Sequence, residues 1–252
     1  MSLDVTDLRD FYSRPLGDVV RRLLRARMAL HWPSTQGLRV LGIGYPTPYL
    51  GQFRPDAERL LAFMPAEQGV ANWPRTAPGA TALVEMDMWP LVDAAVDRVL
   101  AVHALEVAAS ADELLREAWR VLAPGGRLML VVPSRRGIWA RLDTTPFGHG
   151  RPYSPGQLAK VLRANAFAPG GWSESLFFPP LERSFPLRWA AGIDRMGVRL
   201  RAPFAGVHIV DAVKEAARPA PVRKVRSVKL RPSTVPGGVL APGASGRASA
   251  AP

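Results

Sequence analysis

The stretch Ser110–Val132, SADELLREAWRVLAPGGRLMLVV, leaves few folds open to this chain. Ser110 with Glu113 three residues on is a capping box: the serine hydroxyl can accept the amide of Glu113, and the glutamate can reach back. Leu114, Leu115, Ala118, Val121 and Leu122 then fall on one side of a helix. Pro124-Gly125-Gly126 is a turn, and Arg127–Val132 reads as a continuous buried strand. A strand that is apolar on both faces must be covered on both. Such strands, alternating with helices, belong to a parallel sheet with crossover connections.

The same alternation runs through the rest of the chain. Leu38–Gly51, LRVLGIGYPTPYLG, begins with an apolar run of strand length. Gly42 and Gly44 punctuate it, and Pro46 and Pro48 end it. A buried strand running into a glycine turn can open a ligand crevice at the carboxyl edge of a sheet, where a side chain would hold the ligand off the backbone. Pro55–Leu61 reads as a short helix, Leu60–Met64 as a second strand, Thr81–Val84 as a third and Arg98–Ala104 as a fourth. Trp73–Gly79 is a loop. Ser154 and Pro155 open a helix to Asn165. Trp172–Phe178 and Gly206–Val213 are a final pair of strands. Between them, Leu181–Leu200 reads as helix carrying Arg183, Arg188, Arg195 and Arg199. Residues 4–31 form a helix that Pro15 splits, with an apolar stripe through Leu16, Val19, Val20, Leu23, Leu24 and Met28. The expected class is α/β: a Rossmann-like, mostly parallel, doubly wound sheet with one antiparallel strand.

Composition narrows function mainly by exclusion. With no cysteine there is no disulfide, thiolate metal site or thiol nucleophile. The four histidines are scattered, and there is neither metal-ligand spacing nor a G-x-S-x-G nucleophile elbow. No apolar run approaches the roughly 18 residues of a membrane helix. The N-terminus is acidic and mixed rather than signal-like, and a cytoplasmic setting is expected. The net charge is +12. From Arg218 onward there are seven basic residues and no acid, among Pro, Ala, Gly and Ser. Residues 217–252 are therefore expected to be a disordered basic tail. Its simplest role is solubilising, and nucleic-acid contact through it is not favoured.

Residues 133–157 follow a buried strand and are rich in Arg, aromatics, Gly and Pro. Loops in that position line crevices. His149 sits between two glycines, with Arg151 and Tyr153 close by. A histidine there could act as general base, and an arginine could hold a carboxylate or phosphate. An equally open reading is a structural loop in which His149 packs on Phe147. Arg135, Arg136, Arg141 and Arg151 favour a small or medium, anionic substrate. Asp97 reads as structural.

Residues about 35–135 resemble the class I S-adenosylmethionine-dependent methyltransferases of the type 11 subgroup. DELLREAWRVLAPGGRLMLVVP is similar to that family's helix–turn–strand segment. Trp89-Pro90-Leu91 with Asp97-Arg98-Val99-Leu100 resembles its strand entry, and Val102-His103-Ala104-Leu105-Glu106 its next segment. Val40–Gly44 falls on the first glycine motif. The resemblance implies S-adenosylmethionine as cofactor, with Gly42, Gly44, Tyr45, Pro46, Met64, Glu85, Met86 and His103 around it. The methionine part would lie near Gly42–Pro46 and adenine near Glu85–Met86; His149, Arg151 and Tyr153 would serve the substrate. It implies a helical cap over 1–34, a methyltransferase-like domain over 35–216, and an insertion near 181–200. The chain departs from the pattern in three places. Gly42 stands where an acid usually precedes the first glycine, Pro46 and Pro48 stand in place of the second and third glycines and remove amides that would face a ligand, and strand two ends in Met64-Pro65 where an acid usually binds the ribose. A second reading therefore stays open: a protein that kept the fold without the chemistry and binds a protein partner, its crevice plugged by Tyr45 and Tyr49.

Overall fold

The computed structural model describes residues 4–74, 79–181 and 186–216. The chain runs α1 (Val5–Ser13), α2 (Pro15–His31), β1 (Arg39–Gly44), α3 (Thr47–Leu50), β2 (Arg59–Pro65), β3 (Thr81–Val84), β4 (Val96–Val102), α4 (Ala111–Val121), β5 (Leu122–Pro133), α5 (Pro155–Ala164), β6 (Phe167–Ser175), α6 (Ala190–Arg199) and β7 (Val207–Lys214). The seven strands form one sheet in the order β3-β2-β1-β4-β5-β7-β6. β1 to β5 are mutually parallel, and β7 runs against both its neighbours. The antiparallel strand at Gly206–Val213 is thus where the sequence puts it.

Each parallel strand sends alternate residues to opposite faces, and both faces are covered. Leu41, Ile43, Val99, Ala101, Leu128 and Leu130 meet α4 and α5. Val40, Ala62, Leu100, Val102, Met129 and Val131 meet α1 and α2. Burying each of these larger side chains contributes roughly 1.5–3 kcal/mol. At α4 the Ser110 hydroxyl accepts the amide of Glu113 at 3.2 Å, as the capping box requires. Asp97 is structural: it receives the amide of Arg39 at 2.9 Å and its guanidinium at 3.0 and 3.1 Å, locking the starts of β1 and β4. Those bonds hold the Asp97 carboxyl below its ordinary range.

Four local expectations are corrected. Pro124-Gly125-Gly126 is not a turn ahead of the strand but lies within β5, which begins at Leu122 and accommodates these residues by a register shift against β4 between Val96 and Arg98. There is no helix over 55–61; β2 begins at Arg59, which pairs with Arg39, and the helical turns come earlier, at Thr47–Leu50 and Gly51–Phe53. Pro48 does not forbid this, because the first turn of a helix has no use for the missing N–H. The helix near 181–200 is confined to Ala190–Arg199 after a 3-10 turn at Leu187–Trp189, with Pro186 before it. Residues 182–185 lie outside the described residues. β6 starts at Phe167 rather than Trp172 and ends before Leu176, whose φ is +64°. At this sheet edge Pro169 is tolerated by a register shift between Pro169 and Gly171. The basic tail at 217–252 also lies outside the described residues.

Candidate functional site

The carboxyl ends of β1 to β4 carry two neighbouring arrangements. The first is a buried polar chain over β1 and β4. Gly44 takes φ +84°, and a Cβ there would stand 2.3 Å from the carbonyl of Val102. The amide of Tyr45 donates to that carbonyl at 2.8 Å. At Gly42 the place of a side chain is taken by the Pro46 ring, 2.5 Å from an added Cβ, and by Leu50. Both glycines therefore serve close packing of the chain on itself. Tyr45 stacks on Tyr12 of α1 with centroids 5.8 Å apart. The Tyr49 hydroxyl donates to Tyr12 Oη at 2.9 Å, and Tyr12 Oη lies 2.8 Å from Nε2 of His103. Tyr12 Oη thus stands between Tyr49 and His103, linking α1 to the turn after β1 and to the end of β4. Burial raises the pKa of both Tyr12 and Tyr49.

His103 is itself strained, with φ +51° directly after β4, and its ring packs 4.7 Å from that of Phe147. Nδ1 lies 3.3 Å from Oε1 of Glu106. Both residues are buried, yet neither Nδ1 nor either Glu106 oxygen has an aligned hydrogen-bond partner.

The second arrangement is a cavity of about 540 Å³ beyond β2, β3 and β4. Five acidic residues line it, Glu67, Glu85, Asp87, Glu106 and Glu113, and one basic residue, Arg151; the carboxylate of Glu106 is itself buried. Met86 adds an apolar side chain. The loop after β5 forms part of the wall: Arg151 donates its amide to the carbonyl of Glu106 at 2.8 Å. Gly150, at φ +81°, approaches that carbonyl so closely that a Cβ would lie 2.4 Å from it. Only glycine fits there.

The residues singled out in the sequence therefore divide. Glu85, Met86 and Arg151 meet in the cavity. Gly42, Gly44, Tyr45, Pro46, Met64 and His103 lie together in the buried chain and the core behind it; Met64 Sδ accepts the amide of Ala71 at 3.2 Å. Nε2 of His149 lies 3.1 Å from the carbonyl of Asp143, within its own loop. Tyr153 packs into the core against α5, and burial, then the charge of Glu106, raises its pKa. Arg135, Arg136 and Arg141 are exposed. Tyr12 was not legible as a site residue, and Glu106 was visible only inside the quoted HALE segment. Among the described residues, no group of three or more His, Asp or Glu could hold a metal ion, and no helix is long and apolar enough to cross a membrane.

Residues 41–130 match the family model described as a methyltransferase domain. That span runs from β1 to β5, in a sheet whose order is 3-2-1-4-5-7-6 with strand 7 reversed. This is the class I methyltransferase fold. Solved methyltransferase structures superpose on most of it. One is a chain of the complex between the Haloferax volcanii Trm112 methyltransferase activator and a protein described as a methyltransferase: 18% identity, 83% of this chain and 96% of that one, TM-score 0.60. Another is an S-adenosylmethionine-dependent methyltransferase from Mesorhizobium loti: 15% identity, 75% and 96%, TM-score 0.55. The [4+2]-cyclase SpnF also superposes: 23% identity, 78% and 81%, TM-score 0.54. At these identities the likeness is one of fold. No curated protein sequence matches the chain.

Proposed function

We propose that this methyltransferase-fold chain is an S-adenosylmethionine-dependent methyltransferase acting on a small or medium substrate, with the cofactor in the acid-lined cavity. The observation that carries the reading is the cavity: its volume is that of a small-molecule site, and it opens where parallel α/β sheets bind ligands. Its walls suit the cofactor. Glu67 and Glu85 offer exposed carboxylates to ribose hydroxyls, replacing the acid that Met64-Pro65 lacks. A hydrogen bond to such a charged group contributes about 1.5–3 kcal/mol. Met86 offers an apolar surface to adenine. The carboxylate surplus suits sulfonium and ammonium charge, and Arg151 suits a carboxylate.

When bound, the cofactor supplies a methyl group by in-line displacement. The chain's part is to position the reactants and exclude water. The walls favour a neutral or cationic acceptor over an anionic one, because of the four loop arginines only Arg151 reaches the cavity.

A second reading, a binding module without methyl transfer, is favoured by the filled glycine turn. Pro46, Leu50 and the β4 backbone occupy the room beside Gly42 and Gly44, and Tyr45 and Tyr49 are buried above it. The Haloferax complex is a precedent for a protein partner on this fold. Mass spectrometry of small molecules released from protein purified out of its native lysate separates the two. Recovery of S-adenosylmethionine or S-adenosylhomocysteine supports the enzyme. A stoichiometric protein partner with neither nucleoside supports the binding module.

A further inference from the structure

Helix α6, with the turn leading into it, presents three rows. Ala190, Asp194 and Gly197 are buried. Asp194 accepts the amide of Leu176 at 2.7 Å and the hydroxyl of Ser175 at 3.0 Å, and pairs with Arg27 of α2 at 3.1 Å. At Gly197 an added Cβ would stand 2.2 Å from the ring of Phe177. These contacts fix the rotation of the helix about its own axis, and the other two rows face outward. Trp189, Met196 and Leu200, spaced seven and four residues apart, are 59%, 62% and 70% exposed. Arg188, Arg195 and Arg199 repeat that spacing one residue earlier, and all three are exposed. Leu181 and Phe204 are further exposed apolar residues flanking α6 in the chain.

Within α6 and the residues on either side of it the exposed charge has one sign. From Pro186 to Gly206 the chain holds four arginines, at 188, 195, 199 and 201, and a single acid, Asp194. That acid is buried against Arg27 and contributes nothing to the surface. A partner must therefore offer apolar depth and negative charge together. Helices that lie in the bilayer interface have this composition, with Trp and Leu entering the headgroup boundary and Arg held at the phosphates.

We propose that the outer face of α6 docks this protein on an anionic lipid surface. A second copy does not fit, because a two-fold contact would set arginine against arginine. The chain's own segment from Arg218 does not fit either, since its seven charges are all positive. Nucleic acid would satisfy the arginines and leave Met196 and Leu200 in water.

The test is flotation of the full chain with vesicles of phosphatidylcholine alone and of phosphatidylcholine mixed with phosphatidylglycerol. Two double variants, R195E/R199E and M196S/L200S, are run beside it, with urea unfolding to verify that both fold. The expected result is binding to the mixed vesicles only, weakened at least about tenfold by each variant. Four results overturn the proposal: no binding to either vesicle, equal binding to both, undiminished binding by the two folded variants, or an RNA oligonucleotide that binds more tightly than the vesicles and loses affinity in the same variants. Undiminished binding would assign the contact to the basic segment after Arg218.

Discussion

His103 Nδ1 stands 3.3 Å from Oε1 of Glu106, with both side chains inside the protein. The pair joins the two halves of the site. On one side His103 is held by Tyr12, which belongs to the first helix; on the other, Glu106 forms part of the cavity wall. Docking of α1 on the sheet therefore bears, through His103, on the position of Glu106, whose carboxylate is buried and whose backbone carbonyl receives the amide of Arg151 at the cavity wall.

Tyr12→Phe should reveal that coupling. It removes the hydroxyl between Tyr49 and His103 and leaves two buried polar groups without their partner. We expect a loss of about 1–3 kcal/mol in urea unfolding. In a double-mutant cycle with Tyr49→Phe, the pair should cost less than the sum of the two single changes, because they break the same bond. Strict additivity would show that the chain of hydroxyls contributes nothing as a unit.

Gly44→Ala tests the packing role assigned to the glycine turn. The added methyl meets the Val102 carbonyl at 2.3 Å, on a backbone with φ +84°. Strain of this kind costs on the order of 1–3 kcal/mol or more. A variant as stable as the wild type would mean that the turn can move, and that the space is open to a ligand after all.

Acid should weaken the fold through His208. Burial pushes its pKa down from 6.5 to about 4, so the folded protein keeps it neutral while the unfolded chain protonates it. Between those values the unfolded state binds more protons, so stability rises with pH through the window and is lost as pH falls from about 6.5 toward 4. The full span is worth about 3 kcal/mol. Glu174, 3.3 Å from Nδ1 of His208, has its pKa raised by burial. Its contribution runs the other way, favouring the fold at low pH and fading as pH climbs through its raised pKa. Urea midpoints for wild type and His208→Asn across pH 4 to 7 check the sign. The variant should show the flatter profile.

The sheet could be read from the chain because its determinants are local. Ser110 and the stripe Leu114–Val121 act within a few residues, and Asp97 meets Arg39 from the neighbouring strand; Pro124-Gly125-Gly126, whose composition reads as a turn, instead opens β5. The short helix at Thr47–Leu50 is masked in the sequence by Pro46 and Pro48, which break a helix interior, although a first helical turn accepts proline. The site was legible only in part. Glu85 and Met86 follow a strand, and Arg151 follows a glycine that only a close approach requires. Tyr12 reaches His103 across 91 residues, and no periodicity within α1 says which of its aromatic side chains will cross to β4. The glycines of β1 have the pattern of a ligand cradle, and their free faces are filled by Pro46, Leu50 and Val102.

The measurement that bears most directly on the account is calorimetric titration of the full chain with S-adenosylhomocysteine, repeated on Arg151→Ala and Glu85→Ala. Both side chains are exposed at the cavity wall, so neither change should move the melting temperature by more than about a degree. We expect saturable one-to-one binding by the wild type, weakened about tenfold or more in each variant, the loss of one charge-assisted hydrogen bond. No heat and no thermal shift at millimolar ligand would contradict the account, and so would binding that both variants leave unchanged.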